Sequence, residues 1–241
     1  MKIISLVPSI TETLLDLGIY ETQIVGRTKF CIHPKEKIEK ITVVGGTKNL
    51  NIEKIKSLNP DLILANKEEN EKSQIEELMK DFRVYVSEVS TLEENDIFLQ
   101  DIGKLLFKEK EAEEINHKIK QIFNEITPIL PKKKVAYLIW RNPYMTIGND
   151  TFIHHILSKI GFENIFKNNT RYPIVELQDL KEAEYILLSS EPYPFKEKHF
   201  TEFCKVLPNS RIIMVDGEAF SWFGSHLLHC KDYFEKLVTL S

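Results

Sequence analysis

Cysteine is scarce in this chain, and its three copies, Cys31, Cys204 and Cys230, lie far apart. No C-x-x-C pair occurs, so neither a disulfide framework nor a thiolate metal centre is indicated, although a single bridge from Cys31 to Cys204 or to Cys230 stays open. An odd number favours a reducing compartment. An excess of positive charge is also lacking: 32 Lys and Arg against 36 Asp and Glu leave a net charge of -4. That balance gives no electrostatic reason to expect nucleic-acid binding, which relies on a basic face, and Lys132-Lys133-Lys134 reads as solvated linker. No apolar run approaches the roughly 20 residues that span a bilayer. The start, MKIISLVPSITET, meets Pro8 too early for a secretory h-region, so a complete chain would be expected to stay cytoplasmic. G-x-S-x-G, H-E-x-x-H, G-x-G-x-x-G and the nucleotide P-loop are absent as well, which removes the commonest catalytic signatures.

What is present is an alternation of strands and helices. Residues 2–7 read as a short β-branched strand closed by Pro8. Ser9 with Glu12 has the form of a capping box, predicting a helix from about Ile10 to Leu17 that stops at Gly18. Residues 23–25, 41–44, 61–65 and 83–86 read as strands, and 51–58 and 70–80 as helices. Such alternation predicts parallel strands covered by helices. Thr91 and Glu94 form a second box. From there to about Thr127 apolar residues including Ile97, Ile102, Leu105, Ile115, Ile119 and Ile126 recur at helical spacing, which predicts one long helix.

The second half then echoes the first. LLDLGIYETQIVGRT at 14–28 is similar to LSKIGFENIFKNNT at 157–170, and NIEKIKSLNPDLILAN at 51–66 to IVELQDLKEAEYILLSS at 174–190. The expected division is an α/β lobe over residues 1–90, a connecting helix over 91–130 and a second α/β lobe over 131–241.

In open parallel sheets ligands bind beyond the carboxyl ends of strands. In the second half those ends carry Trp140, Tyr144, Tyr172, Tyr193, Phe195, Phe220, Trp222 and Phe223. The stretch LIWRNPYMTIG at 138–148 shows the pattern, an apolar run that breaks off into rings where a polar turn would be ordinary. Rings in Pro-interrupted loops call for a cover, and a large, flat, partly apolar ligand would supply it. In the first half Ser9 at a helix start, Lys29, Phe30 and the run Gly45-Gly46-Thr47 are the candidates for meeting polar groups of a ligand. Arg141 is a further candidate, since a guanidinium can both donate and stack. Asp216 and Glu218 could form an acid–base pair, which keeps an enzymatic reading open. His226, His229 and Cys230 have near-helical metal spacing, whereas His154-His155 and Cys31-x-His33 are poor chelating pairs. If protein bound a metal directly, Tyr144, Tyr193 and His226 would be the candidate ligands.

The segments SLVPSITETLLDLG, VGGTKNLNIEKIKSLNPDLILANKEEN, WRNPYMTIGNDTFIH, LLSSEPYPF and VDGEAFSWFG together resemble the cobalamin and iron-chelate substrate-binding proteins of ABC importers, the helical-backbone metal receptors. The resemblance spans nearly the whole chain. It implies two Rossmann-like α/β lobes with parallel sheets, one long backbone helix and a ligand cleft between the lobes. It also implies a monomer without catalytic cofactor that binds a cobalamin-like ligand first and a siderophore or haem second. By segment, Trp140 and Tyr172 occupy the places of ligand-contacting rings, and the loop from Asp216 to Trp222 that of the segment at the ligand's edge. Asn66 stands where the vitamin B12 receptors have a Trp. The acidic residues such receptors present to a membrane permease correspond to Glu71 and Asp179. The family works in the periplasm or at the cell surface, and a cytosolic carrier or sensor of the same ligand is the alternative the chain's start suggests.

Overall fold

The computed structural model describes residues 1–239; the last two residues of the expected second lobe lie outside them. The chain divides into two compact units. One comprises Met1–Val89, Glu93–Lys118 and Phe223–His226, and the other Ser90–Leu92, Ile119–Trp222 and the segment that starts at Leu227.

In chain order the first unit holds β1 (Ile3–Ser5), β2 (Ile24–Arg27), β3 (Thr42–Val43), a small hairpin of β4 (Gly45–Gly46) and β5 (Asn49–Leu50), then β6 (Leu62–Asn66) and β7 (Val84–Ser87). Five of these form a parallel sheet in the order β3-β2-β1-β6-β7. Every residue of β1 and β6 is buried, as central parallel strands covered on both faces require. Helices α1 (Pro8–Asp16), α2 (Lys35–Ile38), α3 (Ile52–Leu58) and α4 (Lys72–Leu78) connect them. Ile4, Leu6, Val44, Ile55, Ile63 and Leu78 form a core between the sheet and its helices.

Two expectations for this half need correction. The Ser9–Glu12 capping box does not form: α1 begins at Pro8 with Val7 as an uncapped N-cap. Proline is suited to the first turn because its missing N–H needs no partner there, so the chain enters the helix before Ser9, which becomes buried. The single helix over 91–130 is two helices, α5 (Leu92–Leu106) and α6 (Glu109–Glu125). Phe107 takes a left-handed φ of 57°, and the Lys108 N–H donates back to the Gly103 carbonyl at 2.8 Å, which closes α5 as a C-terminal cap.

The second unit contains β8 (Lys133–Leu138), β9 (Tyr144–Met145), β10 (Phe162–Asn164), β11 (Ile174–Val175), β12 (Tyr185–Ser189) and β13 (Arg211–Val215). Its parallel sheet runs β10-β8-β12-β13. Helices α7 (Phe152–Lys159), α8 (Phe200–Val206), α9 (Gly217–Ser221) and α10 (Lys231–Thr239) accompany it. Ala136, Leu138, Ile186, Leu188, Phe195 and Phe203 lie in its core. The echo between halves is structural: after α1, Gly18 turns the chain with φ 78° into β2, and after α7, Gly161 does so with φ 95° into β10. Among the described residues no helix is long and apolar enough to cross a membrane.

Candidate functional site

The strand ends of the second unit carry most of the candidate rings. After β8 the chain does not run into an open loop. The Ile139 N–H donates to the Met145 carbonyl at 3.0 Å and the Met145 N–H to the Trp140 carbonyl at 3.2 Å, so residues 139–145 fold back as a closed loop. Asn142 at its tip takes φ 64°. The loop after β12 docks beside it, the Tyr193 N–H donating to the Ile139 carbonyl at 3.2 Å. These two backbone attachments place Trp140 and Tyr193 edge to face, ring centroids 5.8 Å apart. Tyr193 in turn packs on Phe195 at 4.8 Å and on His199 at 5.7 Å.

Exposure separates the rings into two sets. Trp140 is 40 % exposed, a large apolar face open to water. Tyr144, Tyr172 and Tyr193 are half-buried. Phe195, Phe220 and Trp222 are buried, as is Phe223 in the first unit. Their place in the core explains them: Phe220 lies against Tyr137 and Phe234 at 5.2 and 5.3 Å, and the Trp222 indole N–H donates to Glu191 Oε1 at 3.0 Å. Phe195, Phe220 and Trp222 thus lie in the interior, and of these Phe195 packs directly on Tyr193.

Arg141, expected to meet a ligand's polar groups, is already engaged. Its Nε and Nη2 donate to Glu202 Oε1 and Oε2, both at 2.9 Å, the paired geometry of a guanidinium–carboxylate fork. The Tyr144 hydroxyl donates to the same carboxylate. The fork raises the Arg141 pKa further and holds the Glu202 carboxyl below its usual range. Burial, then the hydrogen bond to Glu202, pushes the Tyr144 phenol up to about 12. Tyr144 is thus a protonated donor near neutrality rather than a phenolate. Sequence reading missed Glu202, which no local pattern links to Arg141 across 61 positions.

His199 was also missed. It is buried, its Nδ1 accepts the Lys196 N–H at 2.9 Å, and its Nε2 faces the Tyr193 hydroxyl at 3.4 Å. A ring nitrogen that accepts a backbone N–H carries no proton, and desolvation followed by the Arg141 charge lowers the pKa of this histidine. The neutral imidazole consequently holds the 193–199 loop in shape.

The remaining candidates have definite places. Asp216 caps α9, its Oδ1 accepting the Glu218 N–H at 3.1 Å, an ordering role in place of acid–base work. His226 Nδ1 is 2.8 Å from Glu12 Oε2 within the first unit. All three cysteines are free thiols, which closes the disulfide alternatives. Among the described residues no three His, Cys, Asp or Glu side chains gather as a metal site would need.

In the first unit the loop after β2 carries Lys29 and Phe30, with the Lys29 ammonium 5.0 Å from the Phe30 ring centroid. Phe30 is 49 % exposed. Gly46 lies against both, since a Cβ there would be 3.3 Å from Phe30 and 3.4 Å from Lys29. Thr47 and Ser9 are buried. Glu71 and Asp179 are exposed, the latter accepting the Glu176 N–H at 2.8 Å in the turn before β12.

Comparison with known proteins agrees with this architecture. The family profile described as periplasmic binding protein matches residues 3–191. An uncharacterized ABC transporter substrate-binding lipoprotein of Bacillus subtilis is 31 % identical over 184 residues, covering 70 % of this chain and 56 % of its own length. A vitamin B12-binding protein of Pectobacterium atrosepticum is 27 % identical over 178 residues, covering 70 % and 63 % respectively. The chain thus spans less than two thirds of the length of these curated relatives. The solved structure of a periplasmic vitamin B12 binding protein of Vibrio cholerae superposes with a TM-score of 0.80 at 19 % identity, covering 99 % of this chain and 96 % of that one, which establishes a shared fold.

Proposed function

The chain belongs to the periplasmic binding protein family, and on that footing we propose that it is the substrate-binding protein of an ABC importer, capturing a cobalamin-like metal chelate without transforming it. Trp140 carries the reading: an indole 40 % exposed at a strand end, held in place by Tyr193 and by backbone bonds on either side. A ring kept open and rigid is a plate for a flat ligand, because burying its face on binding stabilises the complex and little conformational entropy is lost. Tyr172, Tyr144 and Tyr193 extend the contact. Lys29, Phe30 and Gly46 supply a second patch where an apolar ring and an ammonium lie side by side. The vitamin B12-binding relative supports the corrinoid reading. Glu71 and Asp179 are the acidic contacts proposed for a permease.

The test is calorimetric titration of the chain with cyanocobalamin, a ferric siderophore and haemin. Saturable binding of cyanocobalamin at micromolar affinity or better is the expected outcome. A response only to haemin or to the siderophore would move the ligand class, and no response to any of the three would remove the receptor reading.

A further inference from the structure

Resting on that reading, we propose that Glu202 tunes the charge preference of the site: by neutralising Arg141 it removes the free cation that would otherwise follow Trp140, so the site takes a neutral, amide-fringed chelate in preference to an anionic one. Arg141 follows Trp140 directly in the closed loop, so its guanidinium is the cation nearest the exposed indole in sequence and on the same strand end. The two side chains of the fork are 30 % and 28 % exposed, and the Tyr144 hydroxyl donates to the same carboxylate, so the pair lies part open beside one of the candidate rings. A guanidinium bonded through Nε and Nη2 keeps N–H groups that can donate to a neutral carbonyl. What it loses is net charge, because a carboxylate arriving from a ligand meets Arg141 and Glu202 together.

The groups around the loop after β12 add little positive charge. His199 is held neutral by the Lys196 N–H on its Nδ1. Glu191, which accepts from the Trp222 indole and the Ser221 hydroxyl, contributes a carboxylate, as does Asp216 at the start of α9. Lys196 and Lys198 are exposed on the turn that carries His199, solvated ammonium groups rather than a fork aimed at a carboxylate.

Two matched ligand pairs test this with the whole chain: cyanocobalamin against the monocarboxylate formed when one propionamide is hydrolysed, and haemin diamide against haemin. The wild type is expected to prefer the neutral member of whichever pair it binds by about tenfold, the scale of one unit charge near a protein surface. Glu202→Gln frees the guanidinium and should erase or invert that ratio, and adding Arg141→Gln to it should restore the preference. Arg141→Gln alone leaves the Glu202 charge unopposed and should widen the ratio, which keeps the proposal testable even if Glu202→Gln folds poorly. Equal affinities for both members in the wild type, or ratios unmoved in the variants, would overturn this inference while leaving the receptor reading intact. Failure of the wild type to bind any of the four compounds would remove both.

Discussion

Replacing Trp140 with alanine separates ligand contact from core support. Trp140 is 40 % exposed as a residue, and its side chain makes up most of its area. Taking about 250 Å² for a tryptophan side chain, roughly 100 Å² is open for a ligand to cover. At about 25 cal/mol per Å² this area is worth on the order of 2.5 kcal/mol of binding, or about 60-fold in affinity. The same change should disturb folding little. Trp140 packs edge to face on Tyr193 at 5.8 Å, and such a pair contributes about 0.5–1.5 kcal/mol. Calorimetric titration with cyanocobalamin measures the first quantity and urea denaturation the second. The expected result is a large loss of affinity with a small loss of stability. An unchanged affinity in a folded Trp140→Ala protein would refute the argument, since it would mean that the open face of the indole is not where the ligand lies.

Phe220→Ala should show the opposite partition, because a fully buried ring packed on Tyr137 and Phe234 costs about 3–5 kcal/mol to truncate; urea denaturation reads the loss, and a loss below about 1 kcal/mol would contradict its place in the core. Gly45→Ala should lower the melting temperature, equivalent to about 1–3 kcal/mol, since Gly45 has φ 123° and a Cβ would fall 2.4 Å from the Asn49 carbonyl oxygen that the hairpin turn places there. The depressed pKa of His199 makes stability depend on pH: the unfolded chain takes up the proton first, so this histidine's contribution is whole above its ordinary value of 6.5 and is lost as pH falls from there through the folded value. His154, lowered by desolvation and then by Lys132, acts in the same direction. Thermal melts between pH 7.5 and about 5 should therefore decline, and His199→Asn, whose amide oxygen can accept the Lys196 N–H without titrating, should flatten part of that decline; an identical slope in the variant would show that His199 does not titrate in this range.

Much of the fold was legible because the signals involved are local. The strands around Ile3, Ile63 and Val84 were visible as short apolar runs between breakers, and each emerged as part of a parallel sheet. Gly18 and Gly161 were readable as stops after apolar helix ends, and the positive φ of both gives the reason. Where two local signals competed, the sequence misled. Pro8 and Ser9 both qualify as helix starters, and Pro8 takes the earlier position, which leaves Ser9 inside the first turn. The break at Phe107 was hidden because an aromatic residue with a left-handed backbone has no signature of its own; the stop is set by the Lys108 N–H returning to Gly103. Partners distant in the chain were invisible for a related reason. Glu202, His199 and Glu191 matter through Arg141, Tyr193 and Trp222, and nothing in the neighbourhood of any of them announces those pairings.

The aromatic loops of the second half also show why composition alone overstates a binding face. A ring presented to a ligand must be held still, and a side chain is held still by neighbours that are themselves buried. Phe195, buried against Phe203, fixes Tyr193 from behind, and Tyr193 fixes Trp140. Glu191 takes the indole N–H of Trp222 and so lets that ring fill the interior with its polar atom satisfied. The sequence shows these rings as one cluster because their strand-end loops bring them together. The structure divides them by depth. Buried rings limit the motion of the loops, and the exposed one gains by being covered. Preorganisation of this kind lowers the entropy lost on binding, so a face with a single open indole can hold a flat ligand more firmly than several mobile rings would.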